Sequence, residues 1–406
     1  MMYSKRIWVN MAIINLCLVA SLGVLMRSKM VLSLPWIDYN RLADTHGHFA
    51  FSGWVSFALC VLLIYELPGE LYKNKIYHYL LAAILFCSWA TLLSSPFACG
   101  KFVTEAVSIA YILTTYLFSW KFIGDVRKSG TCKTVKLLSI SSLVCLLLSS
   151  GGALMLAYLF SVRSLNAILY RDALFSYLHF QYNGFFTLAV FALIMNKVTK
   201  EASEQARKNM HRFATLLCLS ILPSLFITFL WHQTSPVVHL ISLGGAFLLL
   251  LSFTWFIITA FETVGEFKKT LPFLRLMIIL ALSAFLLKTF LQSLTVINSV
   301  NVLVFGNRPM IMGFLHLVFL GFVTLFLIVY FGQEGMLDCS QPFTRVAIGT
   351  FTAAIVINEI LLGLQGLGAM FITSSPLFNW YLLGAGILLL TGSLLIGISR
   401  IRTKQR

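Results

Sequence analysis

The stretch VVHLISLGGAFLLLLSFTWFIITA, residues 237–260, contains no Asp, Glu, Lys or Arg. Coiled as an α-helix it rises about 36 Å, more than the roughly 30 Å hydrocarbon core of a bilayer. Its apolar residues follow one another without the period-two alternation of a barrel strand, and in lipid only helices and closed barrels satisfy their own backbone. The stretch therefore reads as a membrane-spanning helix. Comparable runs fill the rest of the chain, where hydrophobic residues make up 59% of 406 positions and charged residues 11%. Such a composition does not suit a water-facing surface wrapped over one core. A nineteen-residue window predicts twelve spans, at 7–25, 47–66, 76–94, 103–121, 137–160, 174–196, 213–231, 237–260, 275–297, 310–331, 346–366 and 379–398. The connections are short and show no internal repeat. The expected fold is all-α, a polytopic membrane bundle of about twelve transmembrane helices forming a single transmembrane domain over residues 1–406.

The basic residues set the orientation. With the N-terminus cytoplasmic, inner segments hold 22 of the 30 Lys and Arg, from Lys5 and Arg6 through Lys268 and Lys269 to Lys404 and Arg406. Outer segments hold 7, namely Arg27, Lys29, Arg41, Lys101, Arg163, Arg171 and Arg308, and Lys288 falls inside a span. That asymmetry places both termini in the cytoplasm of a multi-pass protein, with a bacterial inner membrane as the expected setting. The same pattern accounts for the net charge of +16, so no nucleic-acid partner is implied, and membrane lipids are the expected surroundings. The eight cysteines form no C-x-x-C pair and fall mostly in apolar runs. They read as core thiols, with neither a disulfide framework nor a zinc ribbon.

On this topology the histidines acquire depths. His46 and His48 open helix 2, His179 lies about a turn and a half into helix 6, His232 ends helix 7, His239 opens helix 8 and His316 lies nearly two turns into helix 10. All six belong to the outer leaflet, whereas His78 and His211 lie at the inner side. An imidazole buried among lipid-length helices needs a polar partner, a cavity or a bound group. His46 and His48, at i and i+2, point roughly 200° apart and serve different faces. Imidazole alone does not choose among iron, copper and zinc. Tyr182 and Asn183 share a face with His179. Arg41, Arg171 and Arg308, at the outer ends of helices 2, 6 and 10, are candidates for pairing with acidic groups of a cofactor. Lys288 and Glu359 lie midway through helices 9 and 11, where an ionisable group faces the interior or water.

The run His46-Gly47-His48-Phe49-Ala50-Phe51-Ser52-Gly53-Trp54 resembles the His-x-His-x4-Gly-Trp stretch of haem-copper oxidase catalytic subunits. It is also similar to the opening of NnrS-type haem- and copper-containing membrane proteins, which likewise have about twelve helices. The resemblance implies a b-type haem held between His46 or His48 and His316, and copper held by His179 and His232 with His239 as a third ligand. It implies electron transfer or small-gas chemistry, with respiratory-chain subunits as partners. The chain departs from that pattern in three places. Helix 10 has Phe314 two residues before His316, so the ligand of the oxygen-reducing haem is missing from its usual place. No His-His pair follows helix 7, and Phe-Gln-Tyr-Asn follows His179. A secondary transporter and a metal-free assembly partner of a respiratory complex are the competing readings.

Overall fold

The computed structural model describes residues 4–67, 69–95, 101–267, 270–371 and 375–403. Lys268, Lys269, Lys404, Arg406 and Cys99 lie outside them. Twelve helices are long and apolar enough to cross a membrane. They are α1 (Lys5–Val31), α2 (Tyr39–Glu66), α3 (Lys75–Ser94), α4 (Phe102–Lys128), α5 (Lys133–Ser161), α6 (Ala167–Val198), α7 (Glu204–Phe229), α8 (Pro236–Thr263), α9 (Pro272–Leu294), α10 (Arg308–Gln333), α11 (Pro342–Ala369) and α12 (Leu377–Thr403). The chain ends meet at one end of the bundle, where Arg400 of α12 donates to Asn10 Oδ1 of α1 at 2.8 Å. The opposite, far end is the outer one of the orientation above.

Two helices start earlier than hydropathy suggests, because their first turns are polar and capped. Asp38 accepts the N–H groups of Asn40 and Arg41 at 2.8 and 3.1 Å, starting α2 at Tyr39 instead of residue 47. Asn166 caps Leu169 at 2.9 Å and starts α6 at Ala167. The histidines are consequently deeper than expected. His46 and His48 do not open their helix but lie about two turns into it, and His179 lies more than three turns into α6.

The helices also carry an order that the sequence hides. Helices α2, α6 and α10, every fourth one, are buried over 78%, 89% and 56% of their apolar windows, against 17–44% for the other nine. They form the centre, and the rest enclose them. Each central helix is interrupted midway by a π-helical segment, at Ala50–Ser56, Phe180–Phe186 and Leu317–Thr324. Such segments displace backbone carbonyls from the regular ladder and recur at functional sites. Here side chains take up the carbonyls. Asn15 of α1 donates to Gly53 O at 2.5 Å and accepts from Trp89 at 2.9 Å, and Thr187 donates to Tyr182 O at 2.6 Å.

Beyond the π segments, towards the chain-termini end, the central helices are solid. Residues 57–64, 187–193 and 325–331 are buried throughout. Because lipid tails are as apolar as these side chains, close van der Waals contact holds this part together, and small residues make it feasible. Towards the far end Gly245 likewise lets α8 touch α7: a Cβ there would lie 2.5–2.7 Å from the backbone of Pro223 and Ser224. At the chain-termini end Lys5 pairs with Glu66 and, at 3.2 Å, with Glu334, while Lys197 pairs with Glu334 at 2.6 Å. This network ties α1, α2 and α6 to the residue that follows α10. Burial alone would raise the Glu334 carboxyl; the Lys197 and Lys5 ammonium groups outweigh it and hold the group below its ordinary range.

Candidate functional site

Just on the far-end side of the π segments the packing changes character. Residues Arg308–His316, the far-end part of α10, include no buried residue on any face, although α10 is a central helix. Below them an aromatic floor joins the three central helices: Phe51 of α2 meets Tyr177 and Phe186 of α6 and Phe319 of α10 at ring-centroid distances of 5.7, 5.8 and 4.4 Å. Trp54 fixes α2 to α10 through a 2.8 Å bond to Thr324 Oγ1.

His316 stands at the last α-helical residue before its π segment. Its Nδ1 lies 2.7 Å from the carbonyl of Met312, one turn back. A carbonyl is only an acceptor, so Nδ1 carries the proton and donates it, and Nε2 presents a lone pair. This is the arrangement by which metal-binding imidazoles are oriented, the far nitrogen anchored to a carbonyl and the near one left basic. His46 of α2 and Arg27 of α1 lie in its neighbourhood. The His46 ring packs towards Gly23, where an added Cβ would sit 3.4 Å from Cε1. Its Nδ1 is buried, and the ring lies beside the Val19 carbonyl of α1. Beside it, a Cβ on Gly47 would meet nothing within 4 Å.

The other candidates are placed differently. His48 is exposed, on the helix face shared with Arg41 and Asp44, away from His46. Arg41 lies 3.8 Å from Asp38. Arg308 lies over the Tyr39 ring at 5.9 Å. Arg171 stacks on Trp231 at 4.3 Å and donates to the Phe305 carbonyl. The arginine nearest the histidine pair in effect is Arg27, which the sequence reading treats only as an orientation signal.

His179, His232 and His239 do not converge, and no three His, Cys, Asp or Glu side chains among the described residues form a group able to hold a metal ion. His179, fully buried, uses both nitrogens: Nε2 donates to Ile221 O at 2.8 Å and Nδ1 accepts from Asn183 at 3.0 Å. His232 is bound through Nε2 to Asp172 at 3.1 Å and through Nδ1 to Gln233 O at 3.0 Å, and Trp231 donates to the same carboxylate at 2.9 Å. That group is a clamp between α6 and the end of α7. His239 sits partly exposed in the first turn of α8.

No family model and no curated protein matches the sequence. Among solved structures the chain is similar to a dimeric haem-copper terminal oxidase determined by cryo-EM. The TM-score is 0.69 at 13% identity, over 100% of this chain and 84% of that one. At that identity the likeness establishes the fold, the expected twelve-helix arrangement like that of an oxidase subunit I.

Proposed function

We propose that this chain, sharing the fold of a haem-copper terminal oxidase, binds one b-type haem between His46 and His316 and serves as an electron-transferring membrane protein. The carrying observation is the 2.7 Å approach of His316 Nδ1 to Met312 O, which accepts a hydrogen bond from Nδ1 and leaves Nε2 as the free ligand nitrogen. The fit extends to the open side of Gly47 and the loose packing of Arg308–His316. When bound, the haem supplies a one-electron couple. The chain's residues hold it: His316 and His46 orient ligand nitrogens, the Phe51–Phe319 floor closes the site below, and Arg27 offers a cation for acidic haem substituents. Copper does not fit the described residues, since His179 and His232 have both nitrogens engaged and His239 stands apart. Respiratory-chain subunits are the partners this reading implies.

Detergent-purified protein from haem-replete cells should show a reduced-minus-oxidised b-type spectrum, with haem near one per chain and no stoichiometric copper by elemental analysis. Colourless protein would refute the reading and favour a transporter. The reading also places both chain termini in the cytoplasm, on the 22-to-7 split of basic residues. Reporter fusions at Thr131 and Asn307 should accordingly report the inside and the outside; a shared compartment for the two would reverse that assignment.

A further inference from the structure

Lys288 of α9 is 1% exposed. It has no hydrogen bond or ion pair among the described residues, and its ammonium lies 6.0 and 5.8 Å from the ring centres of Tyr182 and Phe285. Buried charge without a partner is costly, and ring faces return only a small part of that cost. One turn further along the same face is Gln292, 5% exposed, with both Oε1 and Nε2 buried and unpartnered. On α6, Asn183 is 2% exposed; its amide nitrogen is spent on His179 and its Oδ1 is unpartnered. His179 and Lys288 interact electrostatically, and Tyr182 meets Phe314 of α10 at 5.7 Å. Lys288 and Gln292 of α9 and Asn183 of α6 are thus buried with unused polar atoms, and Lys288 lies 6.0 Å from the ring of Tyr182, the residue before Asn183. In a folded protein such groups almost always have partners.

We infer that Lys288 and Gln292 form a binding site for a small monovalent inorganic anion. An anion neutralises the ammonium and accepts from the Gln292 amide, and the span between the two side chains is about one helical turn, 5–6 Å. No large or hydrophobic ligand answers that need. The inference stands apart from haem binding: it uses neither His46 nor His316.

The test is titration of purified protein with azide, nitrite and chloride, following the azide infrared stretch and the melting midpoint. Binding to the parent is expected. It should weaken about tenfold or more in Lys288→Met and in Gln292→Leu, be retained in Lys288→Arg, and be retained in His316→Ala. Retention in His316→Ala separates this site from any anion bound to haem iron. Absence of binding to the parent, equal binding to Lys288→Met, or loss of binding only in His316→Ala would each overturn the assignment. Should Lys288→Met fail to accumulate, Gln292→Leu decides, and parental affinity there counts against the site.

Discussion

With haem held as proposed, His316→Ala protein will insert and accumulate like the parent and yet lose the haem band or return it shifted. The two effects separate because of where the ring sits. Arg308–His316 has no buried residue, so truncation there opens no cavity in a packed core. The lost bond to Met312 O is worth about 1 kcal/mol. Removing one of the two imidazoles that would hold the haem, by contrast, would change its binding and its spectrum. His46→Ala should behave alike. His211→Ala, an exposed ring bonded to Thr134 at 3.2 Å, should leave the spectrum alone. A parental spectrum in His316→Ala, with haem bound at the parental ratio, would remove His316 from the coordination sphere.

The largest stability effect is expected at Gly245. The β-branched side chain of Gly245→Val meets the backbone of Pro223 and Ser224, which cannot rotate away, whereas at the neighbouring Gly244 an added Cβ meets nothing within 4 Å. Overpacking of this kind costs about 1–3 kcal/mol, and a contact with backbone belongs at the upper end. In a detergent melting series Gly245→Val should fall several degrees below the parent while Gly244→Val stays within about a degree of it. Equal midpoints for the two would show that α7 and α8 separate freely.

All twelve spans could be read from hydropathy, because lipid imposes a long apolar run on each helix. What escaped that reading was polar. The starts of α2 and α6 lie in capped, hydrophilic turns that a hydropathy window averages away. The π segments have no compositional mark: Ala50–Ser56 and Phe180–Phe186 share only a glycine and aromatic rings. The fourfold spacing of the central helices was hidden for a related reason, since burial is set by neighbours and the enclosing helices are nearly as apolar. In retrospect the roughly 135-residue intervals from His46 to His179 to His316 were the available signal. Depth made His179 conspicuous, but depth does not distinguish a ligand from a ring bonded to the next helix's carbonyl, and Ile221 O is what it meets. Arg27 was hidden by its place in the count of outer charges, although one helical turn separates it from Gly23 beneath the His46 ring.

The apolar stretch formed by residues 57–64, 188–193 and 325–329 bears on energetics beyond folding. Moving one elementary charge across the bilayer against 100 mV takes about 2.3 kcal/mol, and buried apolar side chains offer neither ion nor proton a relay. A redox centre seated above that stretch would exchange protons with the far side alone. With an electron donor on that same side, its cycle would be electrically neutral across the membrane, leaving the transmembrane voltage neither driven by turnover nor able to slow it.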